Sequence, residues 1–250
     1  MKNIIMCHHK TGTVFWRNVL DDLVNKFQLK SYKTIRKDNN ILQEANDDFD
    51  DNSKPLFLID DHSITNFSIL RKNNYIGIHS FRNPMNKLVS ATRYHQITTE
   101  NWANVKSDRF DGMSYKAKLL SFETFEQKLI YEMKNVSKNS IKRMFDVLSF
   151  KNLYHVDIDD ISTDESMSDI ANIYFFLKIK DTVNINLDEW LSLCKNHCLW
   201  SNKDLHLNTH VTSETPGLKE NNIKYFTPNV KKWFLKVFGD DIYNYTFKSL

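Results

Sequence analysis

Ile4-Ile5-Met6-Cys7-His8-His9-Lys10-Thr11-Gly12-Thr13-Val14-Phe15-Trp16 changes its pattern twice. A short apolar run gives way to a polar turn, and the turn gives way to an amphipathic stretch reaching about Phe27. A bounded apolar run reads as a buried strand, and apolar residues recurring at a spacing near 3.6 read as a helix. The segment therefore predicts a strand over Asn3–Cys7, a tight turn, and a helix from about Val14 to Phe27. Gly12 lets the backbone turn sharply at no steric cost. The chain holds only 5 Gly and 4 Pro, so a glycine in such a turn is an uncommon choice.

The same pattern recurs downstream. Pro55–Ile59 is a second apolar run, and Tyr75–Phe81 is a third, followed by a helix from about Asn86 to His95. Asn152–Val156 is a fourth, followed by a helix over Ser166–Leu177, and a last helix runs from about Pro228 to Tyr245. Strands alternating with helices predict an α/β fold with a central parallel sheet covered on both faces. Residues 1–250 are read as a single domain, at roughly 100–200 residues per domain. The run Glu44 to Asp51 is read as an exposed acidic loop. In parallel sheets ligands sit at the carboxyl ends of strands, so the residues just after each strand carry the functional expectation.

Composition narrows the classes. Hydrophobic residues make up 41% and charged residues 26%, which excludes disordered and collagen-like chains. The net charge of +3 is too balanced for a nucleic-acid partner, yet a small anion needs only a local cationic site. Arg supplies only 7 of the 34 basic residues, so each Arg stands out as a candidate fork for an anion. Three cysteines argue against a secreted disulfide framework, and no apolar run approaches the ~18 residues of a membrane span. A cytoplasmic location is the expectation.

In the first turn, Lys10 adds a point charge, Thr11 and Thr13 add hydroxyl donors, and the following helix offers free N–H groups. That chemistry suits phosphate or sulfate. The kinase-type loop is excluded, because its upstream glycine is missing and the lysine precedes the lone Gly12. After the third run come Arg82-Asn83-Pro84, with Ser90 about two helical turns on. That spacing is expected to suit a guanidinium fork and a hydroxyl to one phosphate.

Together the two turns resemble the sulfotransferases that use 3′-phosphoadenosine 5′-phosphosulfate (PAPS). Lys10-Thr11-Gly12-Thr13 is similar to their 5′-phosphosulfate loop, and Arg82-Asn83-Pro84 with Ser90 is similar to their 3′-phosphate motif. Leu153–Asp160 with Met167–Ile179, and Pro216-Gly217-Leu218-Lys219 with Tyr225-Phe226-Thr227-Pro228, resemble later segments of the same family. The resemblance implies a P-loop-like three-layer α/β/α domain with a central parallel sheet. It implies transfer of a sulfuryl group from PAPS to a hydroxyl of a small-molecule, carbohydrate or lipid-headgroup acceptor, with 3′,5′-adenosine diphosphate as product and no metal. The cofactor-binding residues it implies are Lys10, Thr11, Gly12, Thr13, Val14, Phe15, Arg82, Ser90, Gly217 and Lys219. Lys10 is also catalytic. Regions 97–143 and 184–222 are expected to be variable substrate and lid regions. This chain departs from the family pattern at Val14, at Asn83, and at Thr212-Ser213-Glu214, where the family carries Arg-Lys-Gly.

His62, after the second apolar run, is the favoured general base, because its ordinary pKa of ~6.5 lies nearest the working pH. Asp60 and Asp61 are the alternatives. A nucleotide-dependent phosphotransferase and a binding-only member of the family are the competing readings. Cys194, Cys198, His206 and His210 have a spacing that admits zinc, but two cysteines four apart on a helix are more often core. The favoured expectation is no metal.

Overall fold

A computed structural model describes residues 2–27, 32–35, 57–60, 75–207, 211–212 and 222–248. Among these described residues five strands, β1 (Lys2–Cys7), β2 (Lys33–Ile35), β3 (Phe57–Asp60), β4 (Tyr75–Phe81) and β5 (Leu153–Asp157), form one sheet in the order β2-β3-β1-β4-β5. Every pairing is parallel. The expected α/β class with a central parallel sheet is thus observed, with β2 added at the edge. That strand has three residues, too few for a period to show in sequence.

Strand β1 lies at the centre and is apolar on both faces. Ile5 and Cys7 join a core with helix α1 (Thr13–Phe27), while Ile4 and Met6 face the other way, toward Val147 and Phe150. Helix α2 (Pro84–Ile97) follows β4 and builds a further core through Met85, Leu88 and Val89. Gly77 pairs with Ile4 across β1 and β4, and a Cβ there would overlap the Ile4 carbonyl oxygen and side chain. Glycine is required because two strand backbones approach closely, not for turning.

The chain after β2 and β3 crosses past β1 to reach β4 and β5. The connections leaving β1 and β4 therefore enter helices that belong to different cores, with a crevice between them. Such a switch point is where parallel sheets bind ligands.

Between Ile97 and Ser114 the sequence shows few periodic signals, and the region from Ile97 on is built of short helices: α3 (Asn101–Asn104), α4 (Tyr115–Leu120), α5 (Phe125–Asn135) and α6 (Ser137–Val147). At four residues, α3 is too short to leave a periodic trace. The helix expected over Ser166–Leu177 is observed as α8 (Ser168–Phe176), which starts after Met167 in the left-handed region, and an additional short helix, α7 (Ile158–Thr163), precedes it. Asp157 caps α7 by accepting from Asp159 N at 2.9 Å. Beyond α9 (Ile179–Val183) and α10 (Leu187–Lys195), the single last helix expected is two, α11 (Pro228–Phe238) and α12 (Asp240–Lys248). Gly239, at φ 84°, ends the first as a C-terminal cap. The acidic run 44–51 lies outside the described residues. Among the described residues no helix is long and apolar enough to cross a membrane.

Candidate functional site

The turn after β1 is held by its own chain. Thr11 Oγ1 donates to His8 O at 2.9 Å and accepts from His8 N at 2.7 Å, closing the turn from inside. Ser80, in β4, donates to Thr11 O at 2.6 Å and ties the turn to the neighbouring strand. Gly12 has φ 93°, which side-chain-bearing residues rarely adopt, and a Cβ there would collide with Ile158. Lys10 also has a positive φ of 65°, a conformation costing on the order of 1 kcal/mol that the turn must impose. Helix α1 then begins at Thr13, so its first N–H groups, without carbonyl partners inside the helix, face the end of the turn.

The turn after β4 is held from a distance. Arg82 donates through Nε and Nη2 to Asp159 Oδ1, both at 2.8 Å. The other oxygen of Asp159 accepts from Asn86 Nδ2 at 2.8 Å, and Asn86 in turn accepts from Asn222 Nδ2 at 3.0 Å. Asn83 caps α2 by accepting from Met85 N, with Pro84 in the first turn. Its own N–H donates to Asp157 Oδ2 at 3.2 Å. Burial and the neighbouring Asp159 charge push the Asp157 carboxyl up to about 7.

Both turns open into one cavity of about 390 Å³. Lys10, Gly12, Thr13, Val14, Phe15, Arg82 and Ser90 all line it, although the two groups lie some 70 residues apart in the chain. Thr11 does not line it: the Thr11 side chain is buried and committed to the turn. His62, Asp61, Gly217 and Lys219 lie outside the described residues. Asp60 is the last residue of β3 and fully buried.

Lys10 Nζ sits 4.2 Å from the centre of the Tyr94 ring. Burial, followed by the Arg82 charge, lowers its pKa from the ordinary lysine value to about 7, against an opposing pull from Glu100. Lys87, one turn into α2, is fully buried, and its Nζ meets no hydrogen-bond partner among the described residues. Burial lowers it to about 8, with Glu132 pulling it up and Arg82 pushing it down. This end of the crevice is rich in cations, and an anion seated there relieves their mutual repulsion.

Several lining residues carry no motif in the sequence. Glu100 accepts from Tyr94 Oη at 3.0 Å and from Trp102 Nε1 at 2.5 Å. His197 pairs with Asp22 Oδ2 at 3.1 Å. Thr212 bonds with Ser90. His9 stacks on His95 with the rings 4.9 Å apart and within 7° of parallel. His95 Nδ1 is 2.6 Å from Glu132 Oε2. Glu132 is fully buried; burial pushes its carboxyl up, but His95, Ser137 and Tyr115 outweigh that and hold it below the usual range. Glu100 falls in region 97–143, and His197 and Thr212 fall in region 184–222. Neither region offers a local pattern, so only the fold brings them to the cavity.

Beneath the first turn, three histidines form a row across the sheet. His8 Nε2 is 2.8 Å from His79 Nε2, His79 Nδ1 is 2.9 Å from His155 Nδ1, and His155 Nε2 is 3.1 Å from Phe150 O. The carbonyl can only accept, so His155 carries its proton on Nε2. Each bond then fixes the next, giving a proton on His79 Nδ1 and on His8 Nε2. Burial first, then the neighbouring imidazole, lowers the pKa of His8 and that of His79, the latter to about 3. The row is therefore neutral near pH 7.

Cys194 and Cys198 are buried in the core beside Trp190 and Leu193. Burial raises both thiols, Cys198 to about 12, which keeps them protonated. Among the described residues no group of histidine, cysteine or carboxylate side chains is arranged to hold a metal.

The chain was compared with protein-family models, with curated proteins and with solved structures, and none of the three comparisons gives a match.

Proposed function

We propose that the chain is a sulfotransferase that moves a sulfuryl group from PAPS to an acceptor hydroxyl. The observation that supports this reading most is the meeting of the two turns. Lys10 with the start of α1, and Arg82 with Ser90, line one cavity at the switch point of the sheet. A donor with phosphate groups at both ends of a nucleoside needs two such anion sites facing a common space. The Gly12–Phe15 turn suits the 5′-phosphosulfate through backbone N–H groups and the helix dipole. Arg82 and Ser90 suit the 3′-phosphate through a guanidinium and a hydroxyl.

Transfer requires in-line positioning and stabilisation of charge on the leaving phosphate. Lys10 is the cation at that end, and a lysine near pKa 7 has a charge that an arriving dianion strengthens. His62 remains the proposed base for the acceptor proton.

The test is calorimetric titration with 3′,5′-adenosine diphosphate in the absence of magnesium. The expected result is micromolar binding by the wild type and its loss in Arg82→Ala. Lys10→Ala is then expected to abolish transfer from labelled donor across an acceptor panel, while His62→Ala cuts turnover and spares nucleotide affinity. A wild type that ignores the nucleotide overturns the proposal.

A further inference from the structure

The 3′-phosphate end of the proposed site contains a hydroxyl that no family motif supplies. Thr212 lines the cavity, and its Oγ1 lies 3.0 Å from Ser90 Oγ and 3.2 Å from the Ser90 carbonyl oxygen. The two hydroxyls stand side by side in the cavity that Arg82 also lines. Thr212 is 122 residues from Ser90 in the chain, so the juxtaposition is made by the fold.

Arg93 holds Thr212 in place. It lies three residues past Ser90 on α2. Its Nη1 donates to Thr212 O at 3.1 Å and its Nη2 donates to Tyr225 Oη at 3.0 Å. The guanidinium also lies 5.4 Å from the centre of the Tyr225 ring. A planar fork bonded on two sides fixes the position of what it holds. Thr212 is thereby fastened by side-chain and main-chain bonds to one turn of α2.

The chemistry fits an anion. With the Thr212 hydroxyl donating to the Ser90 carbonyl, the Ser90 hydroxyl donates to Thr212 Oγ1. Each proton turns toward a phosphate oxygen by rotation about one C–O bond, with no movement of heavy atoms. Arg82 has two N–H groups committed to Asp159. Hydroxyl donors in the same cavity therefore matter more than they would with an uncommitted arginine.

We propose that Thr212 is a direct ligand of the 3′-phosphate, with Arg93 as its positioning residue, in the stretch where family members carry Arg-Lys-Gly. This rests on the PAPS reading of the cavity and adds to it a residue-level assignment for the altered tail.

The test compares two nucleotides that differ only at the 3′ position: PAPS and adenosine 5′-phosphosulfate. Affinities are measured by calorimetry, directly or by competition, for wild type, Thr212→Val, Thr212→Ala and Thr212→Ser. Losing a hydrogen bond to a charged group is expected to weaken PAPS binding about tenfold or more in the Val and Ala variants. Adenosine 5′-phosphosulfate is expected to change less than about twofold, and the Ser variant to keep wild-type affinity for PAPS. Arg93→Met is expected to give the same selective loss, and its combination with Thr212→Val to add less than the product of the single effects, as coupled residues do. Thermal unfolding of the ligand-free variants checks that each is folded; the Val and Ala variants remove the same hydroxyl, so either one suffices. If both nucleotides weaken equally, or neither weakens, Thr212 is only an anchor and the assignment falls while the PAPS reading stands. If the wild type binds neither nucleotide, the PAPS reading itself falls.

Discussion

The two turns that frame the cavity are built in opposite ways. The turn after β1 takes its internal shape from neighbours in sequence, with Thr11 bonded to His8 and Gly12 supplying the conformation, and one long-range bond from Ser80 to Thr11 O ties it to β4. The turn after β4 is stabilised by residues from far along the chain. Asp157 and Asp159 come from the end of β5 and the start of α7, and Asn222 comes from beyond α10. A local turn arrives with the strand that carries it. A distant one forms only when the sheet and the later helices have assembled. Of the two anion-facing corners, the first therefore draws its internal shape mainly from a short peptide segment, and the second draws its shape from the whole fold.

This contrast is open to attack at several points. Asp159→Ala is expected to do the most damage, because it strips the partly buried Arg82 of its carboxylate and Asn86 of its acceptor. Breaking such a pair costs about 3 kcal/mol, read as a fall in the denaturant midpoint. Nucleotide binding at the Arg82 corner is expected to weaken with it.

Gly12→Ala is expected to cost about 2 kcal/mol, because the alanine inherits a positive φ and its Cβ meets Ile158. Thermal unfolding measures this, and an unchanged melting temperature would show that Ile158 yields freely. Thr11→Val removes both side-chain bonds of the first turn and is expected to cost about 1–2 kcal/mol. If the local account is right, it leaves the Arg82 corner intact, so 3′,5′-adenosine diphosphate still binds, though more weakly.

The smallest effect is one of pH. Lys10 has its folded pKa lowered to about 7 from the ordinary 10.5. Its charge in the empty site is therefore lost as pH rises through about 7. Nucleotide affinity is expected to fall by up to tenfold per unit above that point, and Lys10→Arg, which stays charged, to flatten the profile. Without ligand the sign runs the other way. Between about 7 and 10.5 the unfolded chain binds the proton and the folded chain does not, so this lysine makes stability rise with pH in that window.

The same division explains what was legible beforehand. Strands β1, β4 and β5 and helices α1 and α2 are visible in the sequence, because apolar runs and helical spacing follow from burial on two faces or on one. Lys10, Gly12 and Arg82 are visible because they lie in the turns that leave strands, and Ser90 because it stands two helical turns beyond the second of these. The break at Gly239 is harder to see, because this C-cap signal stands in an amphipathic pattern that otherwise continues, and α7, at six residues, is too short to show a period.

Glu100, Asp159, His197 and Thr212 reach the cavity from segments with no distinctive pattern. Their positions depend on which helices pack beside α1 and α2, and a residue's own neighbours in sequence carry no record of that. The histidine row belongs to the same category. His79 and His155 sit in neighbouring strands and His8 directly follows a third, and only the register of a parallel sheet sets them within hydrogen-bond reach. Sequence alone determined the strand–turn–helix units and the cationic residues at their turns, because those depend on short-range sterics and periodic burial. The tertiary structure alone decided that the two turns share one cavity, and which carboxylates, hydroxyls and rings surround it, because those contacts are set by packing between residues as far as 175 positions apart.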